Sequence, residues 1–141
     1  SVKEEIGLHG AKGIASTIKP DLCIAVDVFT AADMPGIPFH LAPARLGEGP
    51  VLRVVDNRAM ADPQLRKFFQ EICRRHNIPL QVAMTGGGTD GAELQATGIR
   101  MIPVSVPIRY MHSPVGMIHI RDLEQLINML TLGLQKIQEL L

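Results

Sequence analysis

Apolar positions along this chain keep two rhythms, a spacing of three to four residues and short unbroken runs, and the switches between them mark alternating helices and strands. Leu8, Ala11, Ile14, Ala15 and Ile18 recur at helical spacing between Gly7 and Ile18, and Lys19-Pro20 stops that helix because proline has no amide to donate. Leu22 to Val28 is nearly all apolar and rich in β-branched residues, the pattern of a strand buried on both faces. Residues 29–50 carry Pro35, Pro38, Pro43 and Pro50 with Gly36, Gly47 and Gly49, which predicts a long loop. A strand resumes over Val51 to Val55. Asp62-Pro63 then reads as an N-cap followed by proline at the first helical position, and Leu65, Phe68, Phe69, Ile72 and Cys73 form one apolar face. Arg74, Arg75 and His76 suit the end of that helix. Ile78 to Met84 predicts a strand, residues 86–90 a glycine turn, Gly91 to Thr97 a short helix and Met101 to Val106 another strand. From Asp122 to Leu141, residues Leu123, Leu126, Ile127, Leu130, Leu134, Ile137 and Leu141 line one side of a closing amphipathic helix. The opening residues read as the tail of a strand already under way.

This alternation predicts an α/β fold with a mixed, largely parallel sheet flanked by helices. Ligands of such sheets collect at the carboxyl ends of strands, so chemistry is expected there.

Composition narrows the field of partners. A chain of 141 residues is the size of one domain and can bury a core without staples. Its 14 Lys and Arg balance 14 Asp and Glu, and no charge run interrupts the sequence, so nothing recommends nucleic acid or an anionic membrane as partner. No apolar stretch approaches the roughly 20 residues of a bilayer span. Cys23 and Cys73 stand far apart with no secretory leader before them, which predicts free thiols and a cytoplasmic setting. Residue 1 is Ser rather than Met, consistent with a piece of something longer.

Several residues could carry chemistry. Asp27 is the one charge in an apolar strand and lies at its carboxyl end; it either caps the following loop or faces a cation that offsets its burial. Glu4 and Glu5 are adjacent, so in a regular strand they would point to opposite faces, and both reach one site only where the backbone turns irregular, as Gly7 permits. A carboxylate pair beside one site suits a division of labour, one binding a metal and the other taking a proton from water; alternatively the two are solvated at a helix N-terminus. His112, in a loop directly after a strand, is a ligand candidate or a surface polar group. His9, His40, His76 and His119 read as surface groups. Gly86-Gly87-Gly88-Thr89-Asp90 could expose amides to an anion, but lacks the Gly-Lys-Ser/Thr ending of a phosphate loop. Gly7, Gly10 and Gly13 do not have dinucleotide-loop spacing and fit close packing of a helix on a sheet.

Taken together, VKEEIGLHGAKG, CIAVDV, MTGGGTDGAEL and VPIRYMHSP, in this order and spacing, resemble the C-terminal half of the tetrahedral (TET) aminopeptidases. That family comprises glutamyl-aminopeptidase-like di-metal peptidases, some of them labelled cellulase or endoglucanase. GPVLRVVDN and HIRDLEQL extend the similarity along essentially the whole chain. The resemblance implies a zinc-peptidase-like catalytic domain, incomplete, with residues 1–141 as its C-terminal portion and the N-terminal part and inserted dimerisation domain absent. It implies Glu4 as general base, Glu5 and His112 as ligands of one metal and Asp27 as ligand of the other, the metals being zinc or cobalt. Gly88, Thr89, Asp90, Arg109 and Tyr110 would lie near the substrate. The implied reaction is release of N-terminal residues from peptides by a water activated between two ions, in a homo-oligomer. A histidine and a bridging aspartate of the family's site have no counterpart here, so the 141 residues alone are expected to be inactive. Two alternatives are a non-catalytic assembly fragment and, last, a glycoside hydrolase using Glu4 and Glu5, whose sequence adjacency fits poorly the carboxyl spacing of about 5 Å or 6.5–9.5 Å such enzymes need.

Overall fold

The computed structural model describes residues 1–38 and 43–141; the surface placement expected for His40 lies outside them. Strands β1 (Leu22–Thr30), β2 (Val51–Val55), β3 (Gln81–Met84) and β4 (Arg100–Ile108) form one sheet in the order β1-β4-β2-β3. β1 with β4 and β2 with β3 are parallel, while β2 and β4 run antiparallel, so the sheet is mixed and mostly parallel as expected. Helices α2 (Pro63–Arg75) and α4 (Ile120–Lys136) cover one face; α1 (His9–Ala15) and α3 (Gly91–Gln95) cover the other.

Side-chain alternation assigns the two faces. Leu52, Ile102, Val104 and Val106 point toward α2 and α4, where Leu65, Phe69, Leu126 and Met129 complete the main core. The opposite face carries two smaller clusters, one around Ala25, Met101, Leu8, Ala11 and Ala92, the other around Phe29, Val51, Ala44 and Ala83. Between them runs a polar row, because β1 pairs Asp27 with Ser105 and β2 places Arg53 on the same side.

Four expectations need correction. The Leu22–Val28 run is not buried on both faces: β4 takes the interior position, with residues 101–107 all buried, while β1 pairs with β4 alone among the described strands and leaves Val26 59% exposed. The opening residues are not a strand tail; Glu4–Ile6 is a 3-10 turn between Lys3 and Gly7, both at positive φ. Strand pairing begins at Gln81 rather than Ile78, because Pro79 has no amide to contribute to a ladder. Finally, α4 starts at Ile120 with His119 as N-cap, and its apolar residues form a band too wide for the sheet to cover. Leu126 and Met129 are buried, whereas Ile127 and Leu134 are exposed.

α2 matches its sequence signals closely. Asp62 accepts hydrogen bonds from the amides of Gln64 and Leu65 at 2.9 Å each, satisfying two of the donors a helix leaves open, and Pro63 follows at the first position. Asp122 does more than begin a helix. Its carboxylate is 1% exposed and accepts from the amides of Gly47 and Gly49 at 2.8 Å each, fastening the loop before β2 onto α4.

A second pair braces the loop after β1. Arg109, at the end of β4, holds Asp33 in a two-pronged contact, Nε to Oδ1 at 2.7 Å and Nη2 to Oδ2 at 2.9 Å. That guanidinium lowers the Asp33 carboxyl from 3.8 to about 2. A carboxyl that binds its proton less readily folded than unfolded stabilises the fold above its ordinary pKa, and the contribution is lost as pH falls from about 4 toward 2. Thermal midpoints of Arg109→Met are therefore expected to lie below wild type above about pH 4 and to converge with it near pH 2; parallel curves throughout that range would contradict this.

Candidate active site

The carboxyl end of β1, the turn at Glu4–Ile6, the glycine loop after β3 and the loop after β4 open onto one cavity of about 680 Å³. Pockets for small ligands commonly fall in this size range. Glu4, Glu5, Asp27, Gly88, Tyr110 and His112 all line it, as do Arg53 and Arg58. Residues separated by more than a hundred positions thus meet beside the carboxyl ends of the parallel pair β1 and β4, where ligands of α/β sheets collect.

The irregular backbone brings the glutamates to one place. In a 3-10 turn successive side chains are rotated by about 120°, not opposed as in a strand, so Glu4 and Glu5 both border the cavity. Gly7, at φ 125°, closes the turn in a conformation that disfavours any side chain. Lys3, Leu8, Tyr110 and His112 adopt left-handed backbone angles of 55–62° although none is glycine. Each costs roughly 1–2 kcal/mol, and such strain gathers at functional sites.

Burial raises the Glu4 carboxyl above its ordinary range, and the charges of Asp27, Glu5 and Asp90 raise it further. Glu5 and His112 are both mostly exposed and face each other, Oε1 to Nδ1 at 3.4 Å. Asp27 sits lower in the cavity: its Oδ1 accepts from the Val28 amide at 2.7 Å and its Oδ2 meets Arg53 Nη2 at 3.4 Å. Among the described residues no group of three or more His, Cys, Asp or Glu side chains is gathered closely enough to hold one metal ion.

The remaining candidates lie around the rim or behind it. Thr89 is 2% exposed, and Asp90 accepts from Ser1 N and Ser1 Oγ at 2.8 Å each. The Arg109 guanidinium is committed to Asp33. The glycine loop is held by its own groups: Gly86 O accepts from Asn57, Gly88 O from Arg53 Nη1, and the Gly87 amide donates to Thr85 Oγ1 at 3.3 Å, so two of its carbonyls and one amide are already engaged, which disfavours an anion cradle there. Arg53 and Arg58 were not singled out from the sequence. A lone arginine inside the apolar run Val51–Val55 is the counterpart of the lone Asp27 in β1, and that signal was available for Arg53. Arg58 lies within the tight turn over residues 56–59 and pairs with Glu93 at 2.7 Å, with nothing in its local sequence to mark it.

No described helix is long and apolar enough to cross a membrane. A putative aminopeptidase of Acetivibrio thermocellus is 38% identical over 133 residues, 92% of this chain and 40% of that protein. The TET aminopeptidase of Thaumarchaeota archaeon SCGC AB-539-E09 superimposes with a TM-score of 0.89 at 32% identity, across 94% of this chain and 38% of that one. The Pyrococcus horikoshii TET1 peptidase, which can assemble into a tetrahedron or a large octahedral shell, does so with a TM-score of 0.80 at 35% identity, again across 94% and 38%. The chain thus spans about two-fifths of the length of these relatives. With the sheet topology shared and the profile of one family matching residues 1–129, the chain belongs to the M42 glutamyl aminopeptidase family.

Proposed function

We propose that these 141 residues are the carboxyl-terminal portion of the catalytic domain of a metal-dependent aminopeptidase that releases N-terminal residues from peptides. The observation that carries this reading is the convergence of Glu4, Glu5, Asp27 and His112 on one cavity in a chain of this family.

The donor set suits a borderline divalent cation such as zinc or cobalt, since carboxylate oxygen and imidazole nitrogen are both accepted ligands. Two ligand atoms about 2.0–2.1 Å from one tetrahedral ion stand about 3.4 Å apart. Glu5 Oε1 and His112 Nδ1 have a separation of 3.4 Å, long for a hydrogen bond between them and right for sharing an ion. Glu5 and His112 would hold one cation and Asp27 the other. Divalent ions at such a site, when bound, lower the pKa of the attacking water and offset negative charge developing on the peptide carbonyl oxygen. Glu4, close by with its raised pKa, accepts the proton of that water and returns it to the leaving amine. Arg53, behind Asp27, keeps the cavity from accumulating uncompensated carboxylates. Gly88 and Tyr110 border the space a peptide would occupy.

Three protein ligands divided between two ions are fewer than tight sites use, so the 141 residues alone should hydrolyse nothing. Assembly into a homo-oligomer, in a cytoplasmic setting, completes the reading. The test is hydrolysis of aminoacyl chromogenic substrates with zinc or cobalt. A polypeptide joining this chain to an amino-terminal portion like that of its relatives should be active, should lose activity to a chelator and should lose it in His112→Ala, while the 141-residue chain should be inactive. Metal-independent turnover by either protein would defeat the proposal. An inert assembly fragment would instead leave the joined polypeptide inactive with every metal.

A further inference from the structure

We propose that Arg53 is the positioning residue of this cavity, fixing the Asp27 carboxylate and the glycine loop in one relation to each other. The inference rests on the reading of Asp27 as a cation ligand and concerns what orients it.

Arg53 lies in the polar row that divides one face of the sheet, and its side chain is only 3% exposed. Burying a guanidinium is costly unless its donors are used, so its partners decide where it can sit. Nη2 donates to Val28 O at 3.0 Å and lies 3.4 Å from Asp27 Oδ2 and 3.5 Å from Ser105 Oγ. Nη1 donates to Gly88 O at 3.2 Å and stands 3.5 Å from Asp56 Oδ2. The guanidinium also rests over the Phe29 ring, 5.6 Å from its centroid. One side chain therefore ties together the end of β1, the loop after β2 and the glycine loop after β3.

The division of exposure gives this arrangement a direction. Asp27 is 32% exposed and faces the cavity, with the buried arginine behind it. Its Oδ1 is held by the Val28 amide and its Oδ2 by Arg53, so the plane of the carboxylate is set from both sides. Partners placed behind a ligand in this way orient it, and their loss typically weakens metal binding about 10–100-fold. Lysine cannot substitute fully, because a single ammonium lacks the planar fork that reaches Asp27 and Gly88 O together.

The experiment compares wild type, Arg53→Lys, Arg53→Met and Asp27→Asn, each joined to an amino-terminal portion like that of its relatives, by calorimetric titration with zinc chloride and by amide NMR. In Arg53→Met the zinc dissociation constant should rise about 10–100-fold. The Val28 amide should exchange faster and the amides of residues 86–89 should become more mobile, while α2 keeps its protection. Arg53→Lys should fall between wild type and Arg53→Met. Unchanged zinc affinity together with unchanged Val28 and 86–89 amides in Arg53→Met overturns the proposal; if Asp27→Asn still weakens zinc, the cation reading survives that result. Zinc binding indifferent to Asp27→Asn overturns the cation reading instead, and loosened amides in Arg53→Met then still support the tether. Should Arg53→Met not fold, Arg53→Lys decides, with wild-type affinity and wild-type amides counting against the proposal.

Discussion

Exchanging Glu4 for glutamine is expected to lower kcat on aminoacyl substrates by about 10²–10⁴-fold in a polypeptide carrying the complete metal site, with KM little changed. Glutamine keeps the shape of the side chain but cannot take a proton from water. Glu4 is suited to that task by position, since it borders the cavity beside Asp27 and Glu5, and in the metal-free chain burial first, then the charges of Asp27, Glu5 and Asp90, raise its carboxyl above the ordinary value. The same shift separates chemistry from folding. A carboxyl whose pKa is raised in the folded state favours the fold when protonated, and that contribution is lost as pH rises through the raised value. In the metal-free 141-residue chain Glu4→Gln should therefore be at least as stable as wild type at neutral pH, which thermal melts would show, while turnover of the complete polypeptide collapses. Retention of more than about a third of wild-type kcat would remove Glu4 from the role of base.

Phe69→Ala is expected to cost about 3–5 kcal/mol of folding stability. Phe69 is fully buried in the main core, meets Phe68 edge to face with ring centres 5.3 Å apart, and packs between α2 and α4. The ring is what α4 rests on at its close approach, Gly133. A Cβ at Gly133 would lie 2.4 Å from Phe69 Cε1, closer than atoms can come. The truncation therefore removes the contact between α2 and Gly133 and leaves a cavity between the two helices. Domains of this size hold only about 5–15 kcal/mol in total, so a large part of the margin would go. Urea unfolding should show a lowered midpoint at an unchanged slope; a loss below about 1 kcal/mol would mean that α2 and α4 collapse onto the gap.

Much of this architecture was legible from residues alone, and the reasons differ by element. α2 was read to within a residue because its signals are local: a cap, a proline and one apolar face. The alternation of elements gave the mixed sheet. The rank of each strand within it was not legible, since β1 is as apolar as the interior strand β4 and nothing in a run of Leu, Ile and Val tells which neighbour lies beside it. Asp27 stood out as the one charge in its strand, and Glu4, Glu5 and His112 were marked by adjacency to Gly7 and by a loop after a strand. The site's second tier was hidden. Arg53 joins the cavity through Val28 and Gly88 carbonyls, contacts made by backbone groups far away in sequence. Asp122 likewise read as an ordinary helix start, because its partners, the amides of Gly47 and Gly49, lie more than seventy residues earlier.

The two glutamates ride on the short turn before α1, where no residue of Glu4–Ile6 is buried and only Leu8 and Ala11 anchor the adjoining helix. Asp27 and Arg53, by contrast, stand on strands held by the sheet. Regions with few buried apolar contacts open at lower free energy than the core beneath them. The cavity is thus composed of two halves of unequal permanence. In the 141-residue chain by itself, mild denaturant should therefore loosen the carboxylate-bearing lip before the strand-borne half and the helices behind it.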